Sequence, residues 1–495
     1  PGAQYDGIVG IWYGKGPGVD RSADVLKHAN AAGSSKHGGV LALIGDDHAC
    51  KSSTFPHQSE QAMIHCMIPV LHPAGIADAL ELGLHGIAMS RYSGCWTGFK
   101  VISDFADSSG SIFTDPFAMQ FNTPTDFDMP KDGLNIRWYD KPVDQEERLI
   151  TLKLPAAQAY ARANGLDKYI INPAQKRLAI VATGKGFMDT MQALEDIGIT
   201  RQRAEELGIV VYKVALVWPL ETQGILKLAT QVKEILVVEE KRGVIEDQIK
   251  RALFNLDADK RPRVIGKTDE TGAPLLPETY ELSPPQIADV LIKRLKPLTE
   301  VKSFEERMTV IHQNFDLKGK PAPVVRMPYY CSGCPHNTST VVPEGSRALA
   351  GIGCHYMAMW MDRKTYMFTQ MGGEGVPWIG QAPFTSEKHV FANLGDGTYF
   401  HSGLLAIRAA VAANVNITYK ILYNDAVAMT GGQHVDGPLS VEMIAAQVAA
   451  EGVKVIHIVS DEPEKYGSKA NFPTGSHVSY RAELDQIHRA LTGTP

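Results

Sequence analysis

Two sets of residues in this chain have the types and the spacing for chemistry. The first is Gly395-Asp396-Gly397, followed after 26 intervening residues by Asn424. Glycines lack a Cβ and let backbone approach phosphate oxygens closely. The N-terminus of a following helix favours anions. The Asp396 carboxylate and the Asn424 amide are hard oxygen donors of the kind Mg²⁺ takes. These residue types describe a diphosphate–metal site. The second set is Cys331-Ser-Gly-Cys334, with Cys354 after nineteen intervening residues. A C-x-x-C pair outside an oxidising compartment signals a metal ion, an iron–sulfur cluster or a redox dithiol. A redox dithiol has no use for Cys354. Zinc completed by His336 and His355 and a thiolate-held cluster both stay open.

The elements that must position the first set are legible around it. An apolar run at 390–394 leads into Gly395, an Ala-rich helical stretch covers about 402–413, and a β-branched run at 416–423 ends in Asn424-Asp425. Strand, glycine turn, helix, strand is a βαβ unit. The spacer is long enough for one crossover helix and one strand, so Asp396 and Asn424 fall at the same sheet edge, where open parallel sheets bind ligands. The glycine-rich stretch around Gly372 and Gly373 reads as cleft lining or as a plain loop.

The same alternation recurs upstream, and the fold class expected is α/β with three doubly wound parallel-sheet domains. In residues 1–148 strands are expected at 8–13, as a buried strand, at 40–44 and at 86–90. Polar residues gather at strand ends, at Asp46, Asp47, His48, Ser52, Ser53 and His57, where caps and turns explain them equally well. Residues 149–296 form a second unit with strands after Arg177, from Gly208 to a stop at Pro219, from Glu234, and a short one near Val264. Thr183-Gly184-Lys185-Gly186 is too short for a phosphate loop. Residues 297–325 read as a charged linker with room for one helix, and 326–495 as the last domain.

With 495 residues the chain has length for about three domains of ordinary size. A net charge of −6 gives no reason to expect nucleic acid or an anionic membrane as partner. No apolar run approaches the roughly 18 residues a membrane span needs. Six cysteines in a chain this long are not a disulfide scaffold, and a cytoplasmic enzyme is expected.

Taken together, these motifs resemble a known family. Gly-Asp-Gly with an Asn-containing turn at this distance is similar to the diphosphate motif of thiamine diphosphate (ThDP) enzymes. Thr430-Gly431-Gly432-Gln433 narrows the likeness to the 2-oxoacid:ferredoxin oxidoreductases, and among them the indolepyruvate ferredoxin oxidoreductases. "CSGCPHNTS" followed by "GIGCHY" resembles their cluster motif, and "YGKGPGVDRS" and "GDDHACKSST" resemble their pyrimidine-binding domain.

The resemblance implies a pyrimidine-binding domain (1–148), a transketolase C-terminal-like domain (149–296) and a pyrophosphate-binding domain (326–495). It implies ThDP held by Gly395, Asp396, Gly397, Asn424, Ala426, Thr430, Gly431 and Gly432, with Gly372 and Gly373 beside it. Mg²⁺ would be bound by Asp396, Asn424 and the Ala426 carbonyl. Cys331, Cys334 and Cys354 would be three of the four ligands of a four-iron, four-sulfur cluster. The implied reaction is oxidative decarboxylation of a 2-oxoacid, an aryl pyruvate such as indolepyruvate, to acyl-CoA and CO₂, with coenzyme A as co-substrate and ferredoxin as electron acceptor. The implied partners are a second subunit or fused gamma-type domain and a second copy of the chain. The family's activating glutamate belongs to a motif upstream of the matching segment. Asp6, Asp20 and Glu60 stand in the wrong context, so no catalytic residue is assigned. That gap, the want of a fourth cysteine after Cys354, and the abrupt start before the first strand make the chain read as a piece of a longer polypeptide. The alternatives are a non-oxidative ThDP decarboxylase or carboligase, and a catalytically silent scaffold subunit.

Overall fold

The structure, a computed structural model, describes residues 7–493 apart from 52, 114, 116, 320–323, 325–326, 428–431, 436, 438 and 468–469. The chain divides into two compact units, Pro1–Lys320 and Pro321–Pro495.

The first unit holds two five-stranded sheets. Its strands are β1 (Val9–Lys15), β2 (Gly39–Asp46), β3 (Val70–Leu71), β4 (Thr97–Ile102), β5 (Lys168–Ile171), β6 (Leu178–Thr183), β7 (Ile209–Val214), β8 (Leu216–Trp218), β9 (Glu234–Val238) and β10 (Arg263–Ile265). One sheet runs β1-β2-β4-β3-β8, parallel except for β8; the other runs β10-β9-β6-β7-β5, parallel except for β5. Every residue of β6 and β7 is buried, as parallel strands covered on both faces require. Leu194 and Leu291, from the helices Gly184–Asp196 and Pro284–Leu295, pack on one face. Ile225 and Ile249, from Thr222–Ala229 and Ile245–Leu253, pack on the other. The helix Lys302–Gly319 adds Phe304 and Met308 to the first of these layers.

Three expectations change here. The strand expected to be buried at 8–13 is β1, an edge strand paired on one side only, with Ile11 59% and Tyr13 80% exposed. Its apolar composition could not distinguish an edge from a centre. The strand expected at 86–90 lies inside the 18-residue helix Ile76–Ser93. Its buried residues, Leu82, His85, Gly86, Met89, Ser90 and Ser93, recur at helical spacing, and the helix ends at Gly94 with φ +73°. The single strand expected to stop at Pro219 is two strands, β7 and β8, in different sheets.

Asp167 sits where β7 passes into β8. Its carboxylate accepts from the backbone N–H groups of Ala215 (2.7 Å) and Leu216 (3.2 Å). Burial raises this carboxyl to about 7, against the pull of the two donors. An unfolded Asp titrates near 3.9, so folding takes up a proton between those values. The stability this group confers is therefore greatest at low pH and falls as pH rises from about 4 through 7. Asp167→Asn is expected to flatten that segment of the pH profile and leave the first unit more stable than wild type at pH 8 by a few kcal/mol. Hydrogen-exchange protection of β7 and β8 in both proteins at pH 5 and pH 8, corrected for the intrinsic exchange rate at each pH, checks this; parallel profiles would count against it.

The second unit holds β11 (Ala348–Leu349), β12 (Thr365–Tyr366), β13 (Val390–Gly395), β14 (Ile417–Leu422), β15 (Ala426–Val427), β16 (Gln433–His434), β17 (His457–Ser460) and β18 (His477–Tyr480). Its main sheet is parallel, in the order β12-β11-β13-β14; β15 and β16 form an antiparallel pair, β17 and β18 a parallel one. No helix among the described residues is long and apolar enough to cross a membrane.

Candidate functional site

In the second unit, β13 is buried from Val390 to Leu394 and delivers Gly395 to its carboxyl end. The chain turns there into a helix that passes through one π-helical turn, Tyr399–Gly403, before Leu404–Ala412. Such turns are frequent at functional sites. β14 runs parallel to β13, with Gly395 opposite Leu422, so Asp396 and Asn424 leave the sheet side by side.

The geometry at that edge is specific. Asp396 is buried. Its Oδ2 accepts from the backbone N–H groups of Asn424 (2.9 Å) and Asp425 (2.6 Å), and Oδ1 accepts from Gly397 (2.9 Å). Asn424 Oδ1 accepts from the Ala426 N–H at 3.2 Å. A void of about 10 Å³, lined by Asp396, Tyr423, Asp425, Val435, Leu439 and Ile444, opens beside the carboxylate; it is the size of a single small guest. A Cβ on Gly397 would meet the Val427 side chain at 3.0 Å, and one on Gly395 the His355 ring at 3.2 Å, so a larger residue at either position would need those side chains to give by a few tenths of an ångström. Oxygen donors and close backbone fit Mg²⁺ beside a diphosphate, while the void has room for about one water-sized guest. Gly432, with φ +72°, donates its N–H to the Val427 carbonyl across the β15–β16 hairpin. Thr430 and Gly431 lie outside the described residues. Gly372 and Gly373 belong to the turn before the helix Val376–Gln381, where the Gly372 N–H donates to Glu374 Oε2.

The three cysteines come from two loops. The Cys334 N–H donates to the Cys331 carbonyl at 3.1 Å, closing a turn around Gly333 with φ +74°. Cys354 opens the 3₁₀ helix Cys354–Trp360. All three are free thiols. Burial raises the Cys354 thiol, and so do Cys334 and Cys331 close by. Among the described residues no three of His, Cys, Asp and Glu gather around a point where one metal ion could sit. A four-iron cluster spreads its thiolates over four irons, and three neighbouring thiols fit part of such a set.

Sequence reasoning held His336 and His355 only as zinc ligands and did not find Lys420. His355 is 3% exposed, and burial first, then His336 and Lys420, lower it to about 3. Lys420 stands in β14 with Nζ on the Ser339 carbonyl (2.8 Å) and over the Phe391 ring (5.2 Å); burial lowers it to about 7. A lysine inside an apolar β-branched run was the available signal.

The first unit has a polar centre of its own, at the carboxyl ends of β2, β3 and β4. The fully buried Lys100 ammonium pairs with Glu60 and with Asp46 (3.4 Å), and Asp46 also accepts from the Ser59 N–H and hydroxyl. His48 Nε2 and both His72 ring nitrogens are buried there without a partner among the described residues. Burial lowers both histidines, and Lys100 adds to it. Asp20 is a surface residue near His57, Glu60 is locked onto Lys100, and Asp6 lies outside the described residues. Lys185 of the Thr183–Gly186 turn is occupied by Asp189 and the Leu282 carbonyl.

Residues 168–315 match the family described as indolepyruvate oxidoreductase domain, and residues 351–451 match the C-terminal TPP-binding domain of thiamine pyrophosphate enzymes. The indolepyruvate oxidoreductase subunit IorA of Pyrococcus abyssi is 24% identical over 459 residues, covering 85% of this chain and 66% of that protein. The subunit of the same name from Thermococcus kodakarensis is 22% identical over 504 residues, covering 95% of this chain and 73% of that one. The chain thus spans about two thirds of the length of the first of these relatives. A 2-oxoglutarate:ferredoxin oxidoreductase from Magnetococcus marinus superposes on 58% of this chain and 53% of its own, at 12% identity and a TM-score of 0.41, too loosely to carry an argument. Residues 168–315 thus match an indolepyruvate oxidoreductase domain and residues 351–451 a thiamine pyrophosphate-binding domain, and the chain is similar along most of its length to the IorA subunits of indolepyruvate oxidoreductases.

Proposed function

We propose that this chain carries out the oxidative decarboxylation of a 2-oxoacid, an aryl pyruvate such as indolepyruvate, within a larger oxidoreductase. The observation that carries the proposal is the convergence of Asp396 and Asn424 at the β13–β14 edge, with the cysteine loops reaching the same neighbourhood: the Asp396 charge acts on His336, two residues beyond Cys334.

In this reading Asp396, Asn424 and the Ala426 carbonyl hold Mg²⁺ against the diphosphate. Gly395 and Gly397 would admit its oxygens. ThDP, when bound, supplies the nucleophilic carbon and the electron sink that 2-oxoacid decarboxylation needs. Cys331, Cys334 and Cys354 give three thiolates to an iron–sulfur cluster. The overall balance is 2-oxoacid plus coenzyme A plus two oxidised ferredoxins going to acyl-CoA, CO₂, two reduced ferredoxins and a proton. A second subunit or fused gamma-type domain completes the electron path, and two copies of the chain pair. A non-oxidative decarboxylase would leave Cys331, Cys334 and Cys354 without a task.

The test is anaerobic expression of the full-length gene product. The expected result is a visible iron–sulfur absorption that bleaches on adding indolepyruvate or phenylpyruvate with coenzyme A, ThDP and Mg²⁺. Colourless protein that releases aldehyde without coenzyme A would overturn the proposal in favour of the non-oxidative reaction.

A further inference from the structure

One buried imidazole touches both chemical motifs of the second unit. The His355 ring lies close to where a Cβ would stand at three glycines: Gly351 (2.5 Å to Nε2, with the Asn393 carbonyl oxygen nearer still), Gly353 (2.6 Å to Cε1) and, less tightly, Gly395 (3.2 Å to Cε1). Gly351 and Gly353 belong to the loop that carries Cys354; Gly395 begins the diphosphate turn. On its other side His355 meets the His336 ring at right angles, 5.8 Å between centroids. His336 in turn lies edge-on to Tyr330 at 5.4 Å. Tyr330, the residue before Cys331, donates its hydroxyl to the His355 carbonyl at 3.3 Å.

Every residue in this chain of contacts adjoins a cysteine or the diphosphate turn. His355 itself is buried, where close packing transmits displacement rather than absorbing it, while Cys334 and His336 also border a cavity of about 640 Å³, so their loop has room to take up more than one arrangement. A shift of Gly395 toward His355 first closes the room left by its missing Cβ and then bears on the ring, whose neighbours are the Cys354 loop and His336. His336 Nδ1 and His355 Nε2 are also buried without a hydrogen-bond partner among the described residues. A partner gained by either nitrogen would distinguish one arrangement of these loops from another, the differential contact that coupling requires.

We infer that Tyr330, His336 and His355 are positioning residues that couple occupancy of the diphosphate turn to the arrangement of Cys334 and Cys354. The inference rests on the reading of that turn as a ThDP–Mg²⁺ site. A filled turn presses Gly395 onto His355, and the two cysteine loops are held in one arrangement. An empty turn releases them. By linkage, ligation of the thiols strengthens ThDP binding by the same factor.

The experiment uses the full-length protein, anaerobic, after chelation of any iron. Thiol alkylation rates at Cys331, Cys334 and Cys354 are read by peptide mass spectrometry with and without ThDP and Mg²⁺, and ThDP affinity is measured in parallel by calorimetry. The expected result is that ThDP–Mg²⁺ slows alkylation of Cys334 and Cys354 about fivefold or more. His336→Ala should abolish that protection while ThDP still binds within about tenfold of wild type. His336→Phe, which keeps the ring contacts, should restore most of it. Tyr330→Phe removes one hydroxyl and should weaken the protection, which keeps the test open if His336→Ala fails to fold. Full protection in all of these variants, or ThDP binding to wild type with no protection at all, would overturn the inference. Failure of wild type to bind ThDP would instead bring down the reading beneath it.

Discussion

Asp396→Ala should lower the affinity for ThDP in the presence of Mg²⁺ by roughly a hundredfold or more and remove 2-oxoacid-dependent turnover. The carboxylate does two jobs. It is the one charged oxygen donor offered to the metal in the proposed site, and it accepts three backbone N–H groups, from Gly397, Asn424 and Asp425. Hydrogen bonds to a charged group contribute about 1.5–3 kcal/mol each, and about 1.4 kcal/mol is tenfold in affinity. Losing the metal ligand and even one of the bonds that shape the Asn424 turn therefore passes two orders of magnitude. Asp396→Asn should fall between the two proteins, since its amide oxygen can still accept from the turn but brings no charge. Calorimetric titration of ThDP at saturating Mg²⁺ measures this. An alanine variant that binds like wild type would mean that the β13–β14 edge is not the cofactor site.

The largest effect on stability is expected at Lys100→Met. Burial works to lower the Lys100 ammonium, but Glu60 and Asp46 hold it above its ordinary value. Removing it leaves two carboxylates in a core with no cation between them. Breaking a buried pair in this way costs about 3–5 kcal/mol. Burial already raises the Glu60 carboxyl, and without Lys100 it rises further. The variant should thus suffer less near pH 5, where Glu60 can be neutral, than near pH 8. The double variant Lys100→Met/Glu60→Leu should recover much of the loss, because an apolar replacement of a buried pair is often neutral. The chain has two units, so a single global midpoint is not a clean quantity. Hydrogen exchange in β2 and β4 reports on the right place. Unchanged protection in the single variant would show that water reaches this centre.

How much of this was legible beforehand depended on whether the signal was local. The βαβ unit at the site was readable because its strands are apolar, its crossover helix is Ala-rich, and the polar residues sit at the strand ends. The α/β class followed from the same alternation repeated along the chain. The cysteine set was readable from spacing alone. Local signals misled at 86–90, where a short apolar run fits helix and strand equally and only the buried stripe of Ile76–Ser93 settles it. They misled at 8–13 because an apolar strand says nothing about how many neighbours it has. They missed the break between β7 and β8, which Asp167 holds from 48 residues away.

The sequence by itself determined the fold class, the residues offered for metal, phosphate and sulfur chemistry, and the presence of Asp396 and Asn424 at neighbouring strand ends. All of these rest on contacts between residues close in the chain or on one crossover. Only the tertiary structure decided that Lys100, Asp46 and Glu60 share one buried centre, that β8 crosses into the first sheet, and that the His355 ring lies between the Cys354 loop and Gly395. Those arrangements join residues tens of positions apart. They depend on which buried polar groups end up facing one another, and packing alone sets that.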